Sequence, residues 1–116
     1  MNHRKFKRFK EKLNIKYTIL STPSIEEIKD NWNGESQTLD ISEGGILFTY
    51  DSPLPVSSFI EIEIAIEGIE FPIYLTGKVT RVTEVKTDQE YEIGLVFKNV
   101  FDKDKEILLS HLEEIQ

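Results

Sequence analysis

No cysteine occurs among the 116 residues, which excludes a disulfide framework, a thiolate zinc site and a cysteine nucleophile and fits a reducing, cytosolic setting. No apolar run approaches the ~20 residues needed to cross a bilayer, and the basic N-terminus is not followed by the apolar stretch of a secretory signal. G-x-S-x-G, a P-loop and H-E-x-x-H are all missing, and the two histidines, His3 and His111, have no carboxylate at metal-ligand spacing. Catalysis therefore has no footing in these motifs, and no cofactor is expected. The chain reads as a soluble, cytoplasmic protein of one domain's size, able to bury roughly two-thirds of its unfolded surface without staples.

Positive charge is scarce and unevenly placed. The net charge is −7, yet residues 1–16 hold seven Lys and Arg against Glu11 alone, so this arm carries +6 and residues 17–116 carry −13. An acidic body argues against a broad nucleic-acid-binding face, since phosphate neutralisation needs clustered cations. Only the arm could draw a polyanion.

Beyond the arm, apolar residues alternate along most of the chain. Leu13, Ile15, Tyr17 and Ile19 recur with period two, as in a strand with one buried face. Across 21–36 the pattern breaks. Ser24 and Glu27 have capping-box spacing, which allows a short helix, and Asn33-Gly34 reads as a turn. "SQTLDI" and "ILFTY" read as two strands around a tight turn at Gly44-Gly45. Ile60, Ile62, Ile64 and Ile66 alternate with outward glutamates, so Glu61, Glu63 and Glu67 mark a solvated face rather than an acid/base pair. Phe71, Ile73, Leu75 and Val79 are in phase with Gly77, where a bend or close backbone approach is expected, and Tyr91, Ile93, Leu95 and Phe97 form a further row. Six short strands favour a small antiparallel barrel or sandwich. From Asp102, read as an N-cap, Ile107, Leu108, Leu112 and Ile115 take helical spacing, so a closing helix should lay an apolar stripe on the sheet, with His111 exposed to solvent.

Two stretches remain that strand-making does not explain. "RKFKR" holds Arg4 and Arg8 four apart. Arginine grips a phosphate or the O6/N7 edge of guanine with two parallel hydrogen bonds, which lysine cannot copy, but a short basic run also serves as a plain terminal tail. "DISEGG" offers the Asp40 carboxylate, the Ser42 hydroxyl and, at Gly45, a backbone a ligand can approach, while the same residues suit an ordinary hairpin turn. Phe6 and Phe9, between the basic residues, either dock on the barrel or pack the root of the arm, and Trp32 either covers one end of the barrel or contacts a partner.

In combination these features are more specific. R-x-x-x-R on Arg4 and Arg8, a strand, D-x-S-x-x-G on Asp40, Ser42 and Gly45, then "GKVTRV", "YEIGLVF" and a closing helix resemble the PilZ domain family along nearly the whole chain. The resemblance implies a six-stranded antiparallel β-barrel over 13–116 with a C-terminal α-helix, preceded by the arm 1–12. It implies a cytoplasmic bacterial receptor for cyclic di-GMP rather than an enzyme. In that reading Arg4 and Arg8 contact guanine edges and phosphates, Asp40 and Ser42 bond the purine or the ligand backbone, and Gly45 shapes the turn beneath them. The arm folds over the barrel on binding and presents a new surface to a downstream protein partner. His3, just before the first arginine, leaves open whether one ligand or a stacked pair is held. Two rival readings are a PilZ-like protein-interaction module without nucleotide and a small nucleic-acid-binding barrel. The second would want a basic, aromatic-rich sheet face, where this chain shows glutamates.

Overall fold

Alternating burial turns into six antiparallel strands: β1 (Asn14–Ser21), β2 (Asn33–Ile41), β3 (Gly45–Tyr50), β4 (Phe59–Ile64), β5 (Ile73–Lys86) and β6 (Glu90–Lys98). They are followed by one helix, α1 (Asp102–Glu114). The computed structural model describes residues 8–23, 33–51, 53–87, 89–98 and 102–114. The strands hydrogen-bond in the order β1-β2-β3-β6-β5-β4, and β4 returns to β1, closing a barrel without free edges.

Inward residues follow the expected period. Ile15, Tyr17 and Ile19 of β1 meet Ile60, Ile62 and Ile64 of β4, and Leu75, Val79, Ile93 and Leu95 fill the far side. Leu108 and Leu112 of α1 are buried in the same cluster and Ile107 packs against it, so the helix lies on the barrel by its apolar stripe. Gly77 is a point of close approach, since a Cβ there would come within 3.1 Å of the Leu95 Cβ.

Three expectations change. Asn33 and Gly34 form no turn but open β2, pairing with Thr18 and Tyr17. The glycine is there for space, because a Cβ at Gly34 would meet the Tyr17 hydroxyl at 2.5 Å. Phe71 precedes β5 and is 71% exposed rather than joining the inward row of Ile73 and Leu75. The helix begins at Asp102 itself, which makes that residue part of its acidic first turn. The suggested helix at Ser24–Glu27, Trp32 and Phe6 lie outside the described residues.

Tyr17 makes the barrel sensitive to alkali. Burial pushes its phenol above the usual value of 10.0, opposed by a hydrogen bond with Tyr50 and reinforced by the Asp51 carboxylate. A raised value means the folded state holds the proton longer than the unfolded chain, so this contribution is complete below pH 10 and is lost as pH rises through the folded-state value. Urea midpoints recorded from pH 8 upward are expected to fall more steeply above about pH 10 for the wild type than for Tyr17→Phe. Parallel curves would refute the assignment.

Candidate functional site

The two motifs meet through one short bridge. Phe9 N donates to the Ile41 carbonyl at 2.8 Å, and Ile41 N donates to the Phe9 carbonyl at 2.9 Å, which adds the root of the arm to the end of β2. Ile41 is fully buried and Phe9 packs against the core, so their chain neighbours Arg8 and Asp40 point the other way. There Arg8 Nε donates to Asp40 Oδ1 at 2.7 Å, and Nη2 pairs with the same oxygen. Both side chains keep about a quarter of their surface, 28% and 22%.

A bulge in β2 makes this possible. The register slips between Thr38 and Asp40, opposite Phe48 and Leu47 of β3. Two residues apart in a regular strand they would share a face; across the bulge Thr38 turns into the core, fully buried, while Asp40 meets the arm. Thr38 then holds the arm from inside. Its hydroxyl donates to the Glu11 carbonyl and accepts from Leu13 N at 2.8 Å.

The turn after β2 is built around Ser42. Its Oγ accepts from Gly44 N at 3.1 Å and Gly45 N at 3.2 Å, and its own N–H donates to the Gly45 carbonyl at 2.9 Å. Ser42 is 1% exposed, so in this structure the hydroxyl organises the turn. Phe97 N donates to the Gly44 carbonyl at 2.9 Å, fixing the turn to β6. Arg8, Asp40, Ser42 and Gly45 therefore sit in one neighbourhood, the first two in contact and the last two forming the turn beside them. Arg4 lies outside the described residues.

Helix α1 touches both halves. Lys105 Nζ lies 3.8 Å from Glu43 Oε1 in the turn, and His111 Nε2 lies 2.7 Å from Glu11 Oε1 in the arm root. This corrects the reading of His111 as solvent-exposed, because its side chain keeps only 15% of its surface. His111 follows Ile107 by four places and Leu108 by three, on the apolar arc of the helix, and Glu11, its partner, lies a hundred positions away in sequence. Thr38, Glu11, Glu43 and Lys105 are the supporting residues that sequence reasoning passes over.

Chemically, the arrangement offers hydrogen-bond donors. A guanidinium has five N–H donors, and among the described residues Arg8 directs two to Asp40, so three can serve an anion or a base edge. Among the described residues no group of three or more His, Asp or Glu side chains could hold a metal, and no helix is long and apolar enough to cross a membrane.

The family model described as the PilZ domain matches residues 2–114. No curated protein matches the chain. Among solved structures, the Bacillus subtilis inhibitor of motility MotI (DgrA) superposes with a TM-score of 0.75 at 14% identity, covering 100% of this chain and 52% of that one. The PilZ domain of Escherichia coli YcgR, solved with c-di-GMP, gives 0.67 at 16% identity, covering 98% and 95%. The K. pneumonia MrkH–c-di-GMP complex gives 0.59 at 19% identity, covering 99% and 55%. The chain thus spans about half the length of MotI and of MrkH.

Proposed function

We propose, from the premise that this chain belongs to the PilZ domain family, that it is a non-enzymatic bacterial sensor of cyclic di-GMP acting in the cytoplasm through a protein partner. The observation that carries this reading is the Arg8–Asp40 pair: one residue of each motif, brought together at the junction of arm and barrel, with three Arg8 donors not engaged among the described residues. The ligand offers two phosphates and two guanines, the groups that arginine forks and carboxylates recognise. Arg4 joins Arg8 on guanine edges and phosphates, Asp40 and Ser42 bond the purine or the ligand backbone, and Gly45 shapes the turn. YcgR and MrkH, both solved with c-di-GMP, support the choice of ligand.

Binding reorders the arm 1–12. The root of the arm is tied to the rest of the fold by the Phe9–Ile41 bridge, the Thr38 hydroxyl and the Arg8 and Glu11 ion pairs. A ligand that recruits the arginines changes how this arm lies and hence which surface a partner meets.

Calorimetric titration with cyclic di-GMP, GTP and cyclic di-AMP tests the sensor directly. Heat with the first alone is the expected result. A second reading is a protein-interaction module that takes no nucleotide, in which the Arg8–Asp40 bond serves only to fix the root of the arm. Silence with all three nucleotides would select it. Proteolysis near Lys7 adds a test of the arm, since cutting is expected to slow when cyclic di-GMP saturates the protein.

A further inference from the structure

Beside the nucleotide reading, and independent of it, lies a groove of about 400 Å³ between α1 and the connection from β4 to β5. One wall is a helical stripe: Lys103, Glu106, Ile107, Ser110, His111 and Glu114 recur at intervals of three and four, one face of α1 over about 16 Å. The other wall is Ile66, Glu67 and Ile69. We propose that this groove is a docking surface for a protein partner, and that its occupant is a segment carrying a large apolar side chain between Lys or Arg residues.

Shape and apolarity supply the first half of the argument. The groove has an apolar floor, with Ile66 buried and Ile107 packed on the core, and an apolar lip, Ile69, that is 42% exposed. The same connection leaves Phe71 in water at 71% exposure. An apolar floor and an exposed apolar lip along a channel of helical length, inside a polar rim, suit a helix or extended segment laid in a groove.

Charge supplies the second half. Glu67, Glu106 and Glu114 stand against Lys103, because His111 is already engaged by Glu11. The net negative rim, on a body of −13 over residues 17–116, repels nucleic acid, anionic lipid and acidic peptides and draws basic ones. The chain's own arm has a similar composition, but Arg8 and Phe9 are committed on β2, to Asp40 and Ile41.

The full chain would be panned against displayed random 12-residue peptides, and enriched sequences synthesised and titrated into the wild type, Ile69→Asp and Glu106→Lys. Enrichment of apolar residues flanked by Lys or Arg is expected, with binding about tenfold weaker or worse in each variant and weakened by salt. Unchanged melting temperatures show that these surface variants fold. No enrichment, enrichment of acidic or uncharged sequences, or binding that both variants retain would each overturn the proposal. So would tighter groove binding by a peptide of residues 1–10 than by any selected sequence, or a dimer in sedimentation equilibrium that Ile69→Asp dissolves, since the occupant would then be this chain itself.

Discussion

Replacing Arg8 by alanine is expected to weaken cyclic di-GMP binding by about 1.5–3 kcal/mol, roughly tenfold to more than a hundredfold. The loss is large because a bidentate, charge-assisted contact disappears and because Asp40, held in place by Arg8 Nε at 2.7 Å, loses the group that aims it. Arg8→Lys is expected to recover little of that affinity, since an ammonium keeps the charge without the planar fork. Stability falls as well. With only 28% and 22% of the two side chains exposed the pair is part-buried, so Arg8→Ala should lower folding stability by about 1–3 kcal/mol, with binding compared in the folded variant. Affinity within twofold of wild type would remove Arg8 from the site. A fall in stability with that affinity retained would make the pair a structural one.

The features legible in the sequence are those in which one local rule acts alone. β1, β4 and β6 each bury one face, so alternation in "LNIKYTIL", "FIEIEI" and "YEIGLVF" maps onto the barrel interior. The illegible features are settled by contacts distant in sequence. Asn33-Gly34 has the composition of a turn, but Tyr17 of the neighbouring strand lies across the glycine, and pairing with β1 overrides local preference. The bulge that separates Thr38 from Asp40 leaves no mark in "SQTLDI", although it puts one of the two inside the barrel and leaves the other part-exposed. The partial burial of His111 follows from its spacing, four places after Ile107 and three after Leu108 on the apolar arc of α1, whereas the carboxylate that meets it stands at position 11. For the site, the motifs point to Arg8 and Asp40, whereas the Phe9–Ile41 bridge that aligns them is a backbone contact that side-chain patterns do not encode.

Gly45→Ala is expected to be the most damaging single methyl that can be added near the site, and the reason differs from the one its motif suggests. Gly45 does not adopt the left-handed backbone that favours glycine, as Gly68 does with a φ of 86°. Its constraint is space: a Cβ would overlap the Leu95 carbonyl oxygen, with the Leu95 carbonyl carbon at 3.4 Å and the Val96 Cα at 3.6 Å. These are backbone atoms of β6, the strand to which β3 is laddered from Gly45↔Val96 onward, and they cannot rotate aside as a side chain would. The added methyl must push β3 and β6 apart against their hydrogen bonds, at an expected cost of about 3 kcal/mol, near 10 °C in Tm for a domain of this size. Gly68→Ala, whose Cβ would meet nothing within 4 Å, bears only the backbone penalty of about 1 kcal/mol and gives the reference. Ligand binding should fail together with stability in Gly45→Ala, because Gly45 N and O anchor the Ser42 turn that follows Asp40. Had the glycine served chiefly to let a ligand approach the backbone, the variant would melt with the wild type and lose only affinity. Melting curves of Gly45→Ala, Gly68→Ala and wild type, recorded without nucleotide, separate the two roles.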